Sequence, residues 1–425
     1  MFKKILDIHS LKNRLLCKIM QRALTCNNAE KRFFIIFFIF SNRSLYITTP
    51  IVWLDELTSV IKIPLLAVTD GMAYSPQYQN HQQQATHVKL PAVYAYVFQR
   101  ACINANTSSV LTNTNQLVVE RSLGPQPDNY IYESGNLVSH DQHAARVRIG
   151  RIAYLEAGIF LSGNGSSNYY HWLLEILPKI SFLNALPKEY GNYPLLVSEE
   201  ALKLPSFKQS LTLFAGKHPI ILLNKRNNYI VDRLVYINSA SMIPFNLAAG
   251  AIFSAKDFHI SPNTLEFIRS TCLAYLEREN GSLSASTRER IFLCRKGSRR
   301  KYNQHEVYAV LSQYGFKQVF TEDLSFEEQI NLMQSAEFIA GPTGAAWTNL
   351  LFCRTGSKAL CWMAEEYADF SAFSTLAKLV GVDMRYITFP TGAKSTHELS
   401  FKDYILDLNS LKVELENLGL NNPQN

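Results

Sequence analysis

From Arg151 onward, apolar positions alternate between short buried runs and segments of helical period. Residues 152–163 (IAYLEAGIFLSG) read as a strand, and a Gly/Ser/Asn loop at 163–168 leads into HWLLEILPKISFLNAL at 171–186. That stretch is helical in period, with Pro178 marking a kink or break. Residues 195–197 and 220–223 read as short buried strands, with an amphipathic segment at 206–214 between them. Ser261-Pro262 sets an N-cap before a proline at the first helical position, opening a helix to about Glu279. GSLSAST (281–287) reads as a flexible link.

Beyond this link the alternation becomes regular. Strands are predicted at 290–294, 317–320, 338–340, 358–362 and 385–389, and helices at 304–314, 325–335, 345–352 and 370–380. Ser325-x-x-Glu328 forms a capping box for the second of these helices. Strands alternating with helices predict a parallel sheet covered on both faces. A last amphipathic helix at 404–418 has no strand after it and is expected to pack back across the other unit. Residues 45–150 mix short β-rich runs (92–98, 116–120) with turn residues and a Gln/Asn-rich stretch at 77–84, which predicts an irregular, mostly β region. The expected organisation is a basic segment at 1–44, an α/β unit at 45–250, a second, Rossmann-like α/β unit at 251–395 and a C-terminal helix within 396–425.

Composition sharpens this picture in one place. The 425 residues carry a net charge of +7, and nine basic against two acidic side chains fall within 1–44, which leaves 33 of each sign in the rest. A neutral body argues against a duplex-binding surface, so no nucleic-acid partner is expected. In 1–44, apolar residues at helical spacing interleave with Lys and Arg, followed by FFIIFFIF at 33–40. That run is far shorter than the about 20 apolar residues a spanning helix needs. A long n-region without a small-residue cleavage site also fits a signal peptide poorly. The segment lies on an anionic membrane surface, docks as a helix on the body, or is an over-extended start upstream of the true domain. The seven cysteines are scattered and form no C-x-x-C, the usage of a reducing compartment, so a zinc or disulfide framework is not expected.

Three stretches are candidates for chemistry. His171 and Glu175, four apart on the predicted helix, project from one face close to its N-terminus, where a carboxylate beside an imidazole makes a general base. The alternative is a histidine capping the helix and a solvent-facing glutamate. Arg295-Lys296-Gly297-Ser298-Arg299-Arg300-Lys301 follows a strand directly, as ligand-binding loops of open α/β sheets do. Five cations in these seven positions suit a diphosphate, although a solvated charge run has the same composition. Gly341-Pro342-Thr343-Gly344-Ala345 also follows a buried strand and opens a helix, where free N–H groups make an anion site. It matches neither a P-loop nor a dinucleotide fingerprint; its alternative is a helix start packed tightly on the sheet.

In this order and spacing, the stretches resemble glycosyltransferase family 61, whose bacterial members are associated with capsular or extracellular polysaccharide. The resemblance covers roughly 158–387. It rests on Asn168-Tyr-Tyr-His171-Trp-Leu-Leu-Glu175-Ile-Leu-Pro-Lys179, the arginine-rich stretch with Asn303 and Glu306, Leu324-Ser325-x-x-Glu328-Gln329, and Gly341-Pro342-x-Gly344-Ala345 through Asn349 to Phe352. The family normally has histidine where Thr343 stands, and threonine keeps a hydrogen-bond donor there without the charge.

The resemblance implies an α/β GT-B architecture, two Rossmann-like domains facing across a cleft. It also implies inverting hexosyl or pentosyl transfer from a nucleotide-sugar donor to a glycan or lipid-linked glycan acceptor, with no metal and no cofactor. Glu175 and His171 are the implied base candidates. Arg295, Arg299, Arg300, Asn303, Glu328, Gln329, Gly341, Thr343, Gly344, Ala345 and Asn349 are the implied donor side, with Asn349 also a candidate buttress of its loop. Glu365 and Glu366 are candidates for ribose hydroxyls. The expected setting is cytoplasmic, at the inner face of the membrane. The rivals are a degenerate transferase fold used as a binding module and another nucleotide-sugar enzyme such as an epimerase, which would need a dinucleotide fingerprint.

Overall fold

Residues 45–149 supply a succession of short strands that pair over long distances to widen one sheet, as the mostly β reading predicts. The computed structural model describes residues 45–78, 81–125, 127–280, 288–297, 299–367 and 369–420; the basic segment 1–44 and the link 281–287 lie outside these. The part of this eleven-stranded sheet that carries the site is built from β1 (Val93–Asn104), β2 (Arg151–Phe160), β3 (Leu195–Ser198), β4 (Ile220–Leu223) and β5 (Asn227–Ile237). Its order is β4-β3-β2-β5-β1, with the first four parallel and β1 antiparallel to β5. Helix α1 (Pro205–Ala215) connects β3 to β4, starting with proline in its first turn and burying Phe207, Leu211 and Phe214.

After α2 (Pro262–Asn280) comes the second sheet: β6 (Glu289–Leu293), β7 (Lys317–Val319), β8 (Ala336–Pro342), β9 (Lys358–Ala364) and β10 (Asp383–Phe389). All five are parallel, in the order β7-β6-β8-β9-β10. Helices α3 (Gln304–Gln313), α4 (Phe326–Ser335) and α5 (Ala372–Val380) make the connections, and α4 carries the expected Ser325–Glu328 capping box. Chain order reverses between β6 and β8, and in open sheets that crevice is where ligands bind.

Three local expectations change. The run 169–185 is an α-turn at Tyr169–His171, a π-turn at Trp172–Ile176 and a 3-10 stretch at Leu177–Ala185. The widened turn, in which the Leu177 N–H bonds the Trp172 carbonyl, sits just ahead of Pro178, so the helical course continues where a break was expected. Ala345–Phe352 is 3-10 rather than α; Trp347 to Phe352 are all buried, leaving no solvent face to favour the α period. The last helix, α6 (Leu408–Asn417), does not cross to the other unit. Its Leu411 and Leu415 join Phe292, Val307, Leu360 and Trp362 in a cluster of the second unit, because that sheet face still needs apolar cover.

The two sheets share a core: one apolar cluster runs from Ile47 through Trp172 and Leu177 to Trp347, Phe373 and Tyr386. The hairpin of Thr69–Tyr74 and Ala85–Leu90 straps them together. Tyr74 N–H donates to Thr375 Oγ1 (2.9 Å), Ser374 Oγ donates to the Tyr74 carbonyl (2.6 Å), and Tyr386 N–H donates to the Gln77 carbonyl beside β10 (2.7 Å). Among the described residues, no helix is long and apolar enough to cross a membrane.

His259 gives the fold an acid-sensitive element. It is 3% exposed, and its backbone pairs with Met242 (2.8 and 3.0 Å). Burial pushes the imidazole down to about 4, with a smaller opposing effect of the hydrogen bond that the ring donates to the Asp257 backbone. As pH falls below the ordinary histidine value of 6.5, the unfolded chain takes up a proton that the folded one refuses until about 4. Stability therefore falls with pH across that window, by about 3 kcal/mol in all. His259→Gln should flatten this part of a pH–stability curve measured by urea unfolding; an unchanged slope would count against it.

Candidate functional site

β2 and β5 end side by side, with Phe160 paired to Tyr236. The loop that follows β2 is held against residues 105–108: Ser162 Oγ donates to the Ala105 carbonyl (2.5 Å), Ser108 N–H to Asn164 Oδ1 (2.9 Å), and Asn164 N–H to Ser108 Oγ (2.9 Å). Asn168 caps the helical run, its side chain accepting from Tyr170 N–H (2.9 Å). His171 is thereby released from the capping role that the sequence left open.

His171 and Glu175 meet as a buried pair, with Nδ1 2.7 Å from Glu175 Oε2. Glu175 Oε1 accepts the Ile243 N–H at 2.8 Å, so each carboxylate oxygen has its own partner. Gly165, at φ +69°, lies so close that a Cβ there would sit 2.5 Å from His171 Cδ2. Gly165→Ala is expected to push the imidazole off Glu175 and cut turnover at least tenfold, by loss of alignment. Substrate kinetics beside a thermal midpoint would check this; full activity would show that the ring has room to move.

The pair faces a pocket of about 50 Å³, also lined by Ser108, Glu120, Asn164, Lys179 and Ser239. Glu120 is fixed by Tyr236 Oη (2.8 Å) and Ser239 N–H (2.7 Å). Lys179 is 4% exposed and lies over the Tyr236 ring. Burial pulls its ammonium pKa down, against the upward pull of Glu120 and Glu175. Sequence reasoning missed both residues. The repeat of the four-residue spacing, Glu175 to Lys179, could have flagged the lysine; nothing local flags Glu120, which follows the strand Leu117–Val119.

The second site lies at the strand-order reversal. The loops after β6 and β8 meet where the Arg295 guanidinium donates to the Thr343 carbonyl, while Gln304 Oε1 accepts Arg295 N–H at 3.0 Å. Arg295, Arg300 and Thr343 line one pocket with Tyr367, Thr391 and Tyr404. Burial, then the neighbouring Arg300 charge, lowers the Arg295 guanidinium to about 10. Gly344 belongs here too, since a Cβ on it would lie 3.1 Å from Arg295 Nη2, and Ala345 starts the 3-10 helix beside it.

Other expected donor residues are placed elsewhere. Arg299 is exposed over the Phe401 ring, and Asn303 holds Leu406 through both backbone groups (3.0 and 2.9 Å). Glu328 closes the capping box, its Oε2 accepting Ser325 N–H at 2.7 Å. Gly341 allows β8 to pass β6, since a Cβ would lie 2.8 Å from Leu293 Cβ. Gln329 and Asn349 are buried in a chain between the units. Tyr169 Oη donates to Asn349 Oδ1 (2.8 Å), Asn349 Nδ2 to Gln329 Oε1 (2.9 Å), and Gln329 Nε2 to the Thr321 carbonyl (3.0 Å). Of the two ribose candidates, Glu365 is exposed. Glu366 Oε1 accepts from Thr391 Oγ1 (2.8 Å) and from the N–H groups of Thr391 (2.8 Å) and Gly392 (2.5 Å), which ties that loop.

Compared with known proteins, residues 169–360 match the family model described as Glycosyltransferase 61. No curated protein matches the chain.

Proposed function

From the match of residues 169–360 to the Glycosyltransferase 61 family model, we propose that the chain transfers a sugar with inversion from a nucleotide-sugar donor to a glycan or lipid-linked glycan acceptor of a surface polysaccharide. In this GT-B-like reading the first unit holds the acceptor and the second the donor. The observation that carries it is the buried His171–Glu175 pair, opening on a pocket. Both Glu175 oxygens are engaged, so the imidazole is the base and the carboxylate orients it. The acceptor oxygen attacks the anomeric carbon and its proton passes to His171 Nε2. The bond from that carbon to the diphosphate oxygen breaks, and the electron pair leaves with the nucleoside diphosphate.

Arg295 and Arg300 neutralise the departing diphosphate, the part a metal plays in other transferases. Work at the cytoplasmic face of a membrane is supported by the basic, apolar pattern of 1–44. A thermal-shift screen of nucleotide sugars, followed by hydrolysis and transfer assays, tests the reading. Nucleotide binding without turnover of any donor would favour a binding module instead.

A further inference from the structure

Most of the second pocket's wall comes from beyond the family-matched region. Arg295, Arg300 and Thr343 lie inside 169–360, whereas Tyr367, Thr391, Leu399, Lys402 and Tyr404 lie past it. The late segment is tied down over the loop after β6. Asp403 Oδ1 accepts Lys301 N–H (2.7 Å), Tyr404 N–H donates to the Lys301 carbonyl (3.0 Å), and Asn303 grips Leu406. The Tyr404 ring is stacked between Tyr302 (centroids 5.2 Å apart) and Phe389 (4.0 Å). Lys402 thus sits on a fixed stretch of chain at the pocket, half-exposed, with Glu398 at 3.4 Å beside it.

Three cations, Arg295, Arg300 and Lys402, line that pocket together, with Glu398 on Lys402 as the neighbouring carboxylate. The Arg300 charge already opposes that of Arg295, a cost that an anion bound between them removes. Three cationic groups suit an anion with charge spread over two centres. We propose that Lys402 is a donor-binding residue, holding the diphosphate together with Arg295 and Arg300. The segment 391–404, outside the family-matched region, then supplies part of the diphosphate site. This rests on the glycosyltransferase reading above.

Calorimetric titration of the full chain with inorganic pyrophosphate, UDP, GDP and dTDP tests it, with sulfate and geranyl diphosphate as comparators. Lys402→Met is expected to weaken pyrophosphate and the best nucleoside diphosphate by about tenfold and to shallow the salt dependence, at an unchanged thermal midpoint. Lys402→Arg should keep the affinity, and Glu398→Gln should not reduce it. Unchanged affinity in Lys402→Met, while Arg295→Ala weakens binding, overturns this inference and leaves the proposed function standing. If neither variant weakens binding, both fall. Sulfate binding as tightly as pyrophosphate overturns the diphosphate assignment. Geranyl diphosphate binding more tightly than any nucleotide would make this the site of a lipid-linked acceptor and overturn the donor role.

Discussion

Glu175→Gln is expected to lower kcat by about 10³–10⁴-fold with the fold and donor affinity preserved. The size follows from the hydrogen bonds on each carboxylate oxygen. Ile243 N–H needs an acceptor, so the glutamine carbonyl oxygen takes the place of Oε1. The NH₂ group then faces His171 Nδ1, where Oε2 had been 2.7 Å away. A donor there forces Nδ1 to accept, moves the ring proton to Nε2 and leaves the nitrogen facing substrate unable to take a proton. His171→Ala should lose about as much, because the two act as one unit. Single-turnover rates at saturating donor separate this from binding. A Glu175→Gln enzyme within tenfold of the parent would remove His171 as the base.

Arg295→Ala is expected to weaken donor binding by about 10- to 100-fold, with kcat falling as well because the departing diphosphate loses a cation. Arg295 also bonds the Thr343 carbonyl, so the truncation frees the loop after β8. Arg295→Lys separates the two roles: it keeps the charge and loses the planar fork, and should recover part of the donor affinity. Titration with nucleoside diphosphates and the donor KM measure both variants. Donor affinity unaltered in both would take Arg295 out of the site.

Much of the second unit was legible in the sequence. β8 and β9 are buried along nearly their whole length, so each appears as a near-continuous apolar run at the expected place, while β6 is buried from Ile291 to Leu293 and β10 alternates. Loops after such strands bear ligands by rule, which is why Arg295 and Thr343 could be named before their pocket was known. The family resemblance also offered Gln329 and Asn349 for the donor side, with Asn349 as a buttress of its loop. Both are buried and join Tyr169 to the Thr321 carbonyl, which for Asn349 is the buttress role. The spacing of His171 and Glu175 placed both on one face, but spacing alone left capping and solvent exposure open. It was Asn168 at the cap and Ile243 on the carboxylate that decided between them.

Periodicity and turn chemistry are local, so the chain by itself determined the strand–helix alternation, the capping box at Ser325 and the pairing of an imidazole with a carboxylate on one face. It also confined the excess charge to 1–44. Only the tertiary structure decided that Glu120 stands beside that pair, and that Lys402 lines one pocket with Arg295 and Arg300. Those groups come from segments far apart in the chain. Their meeting depends on which sheet edges and helix faces the whole core leaves free, and no short window of sequence carries that information.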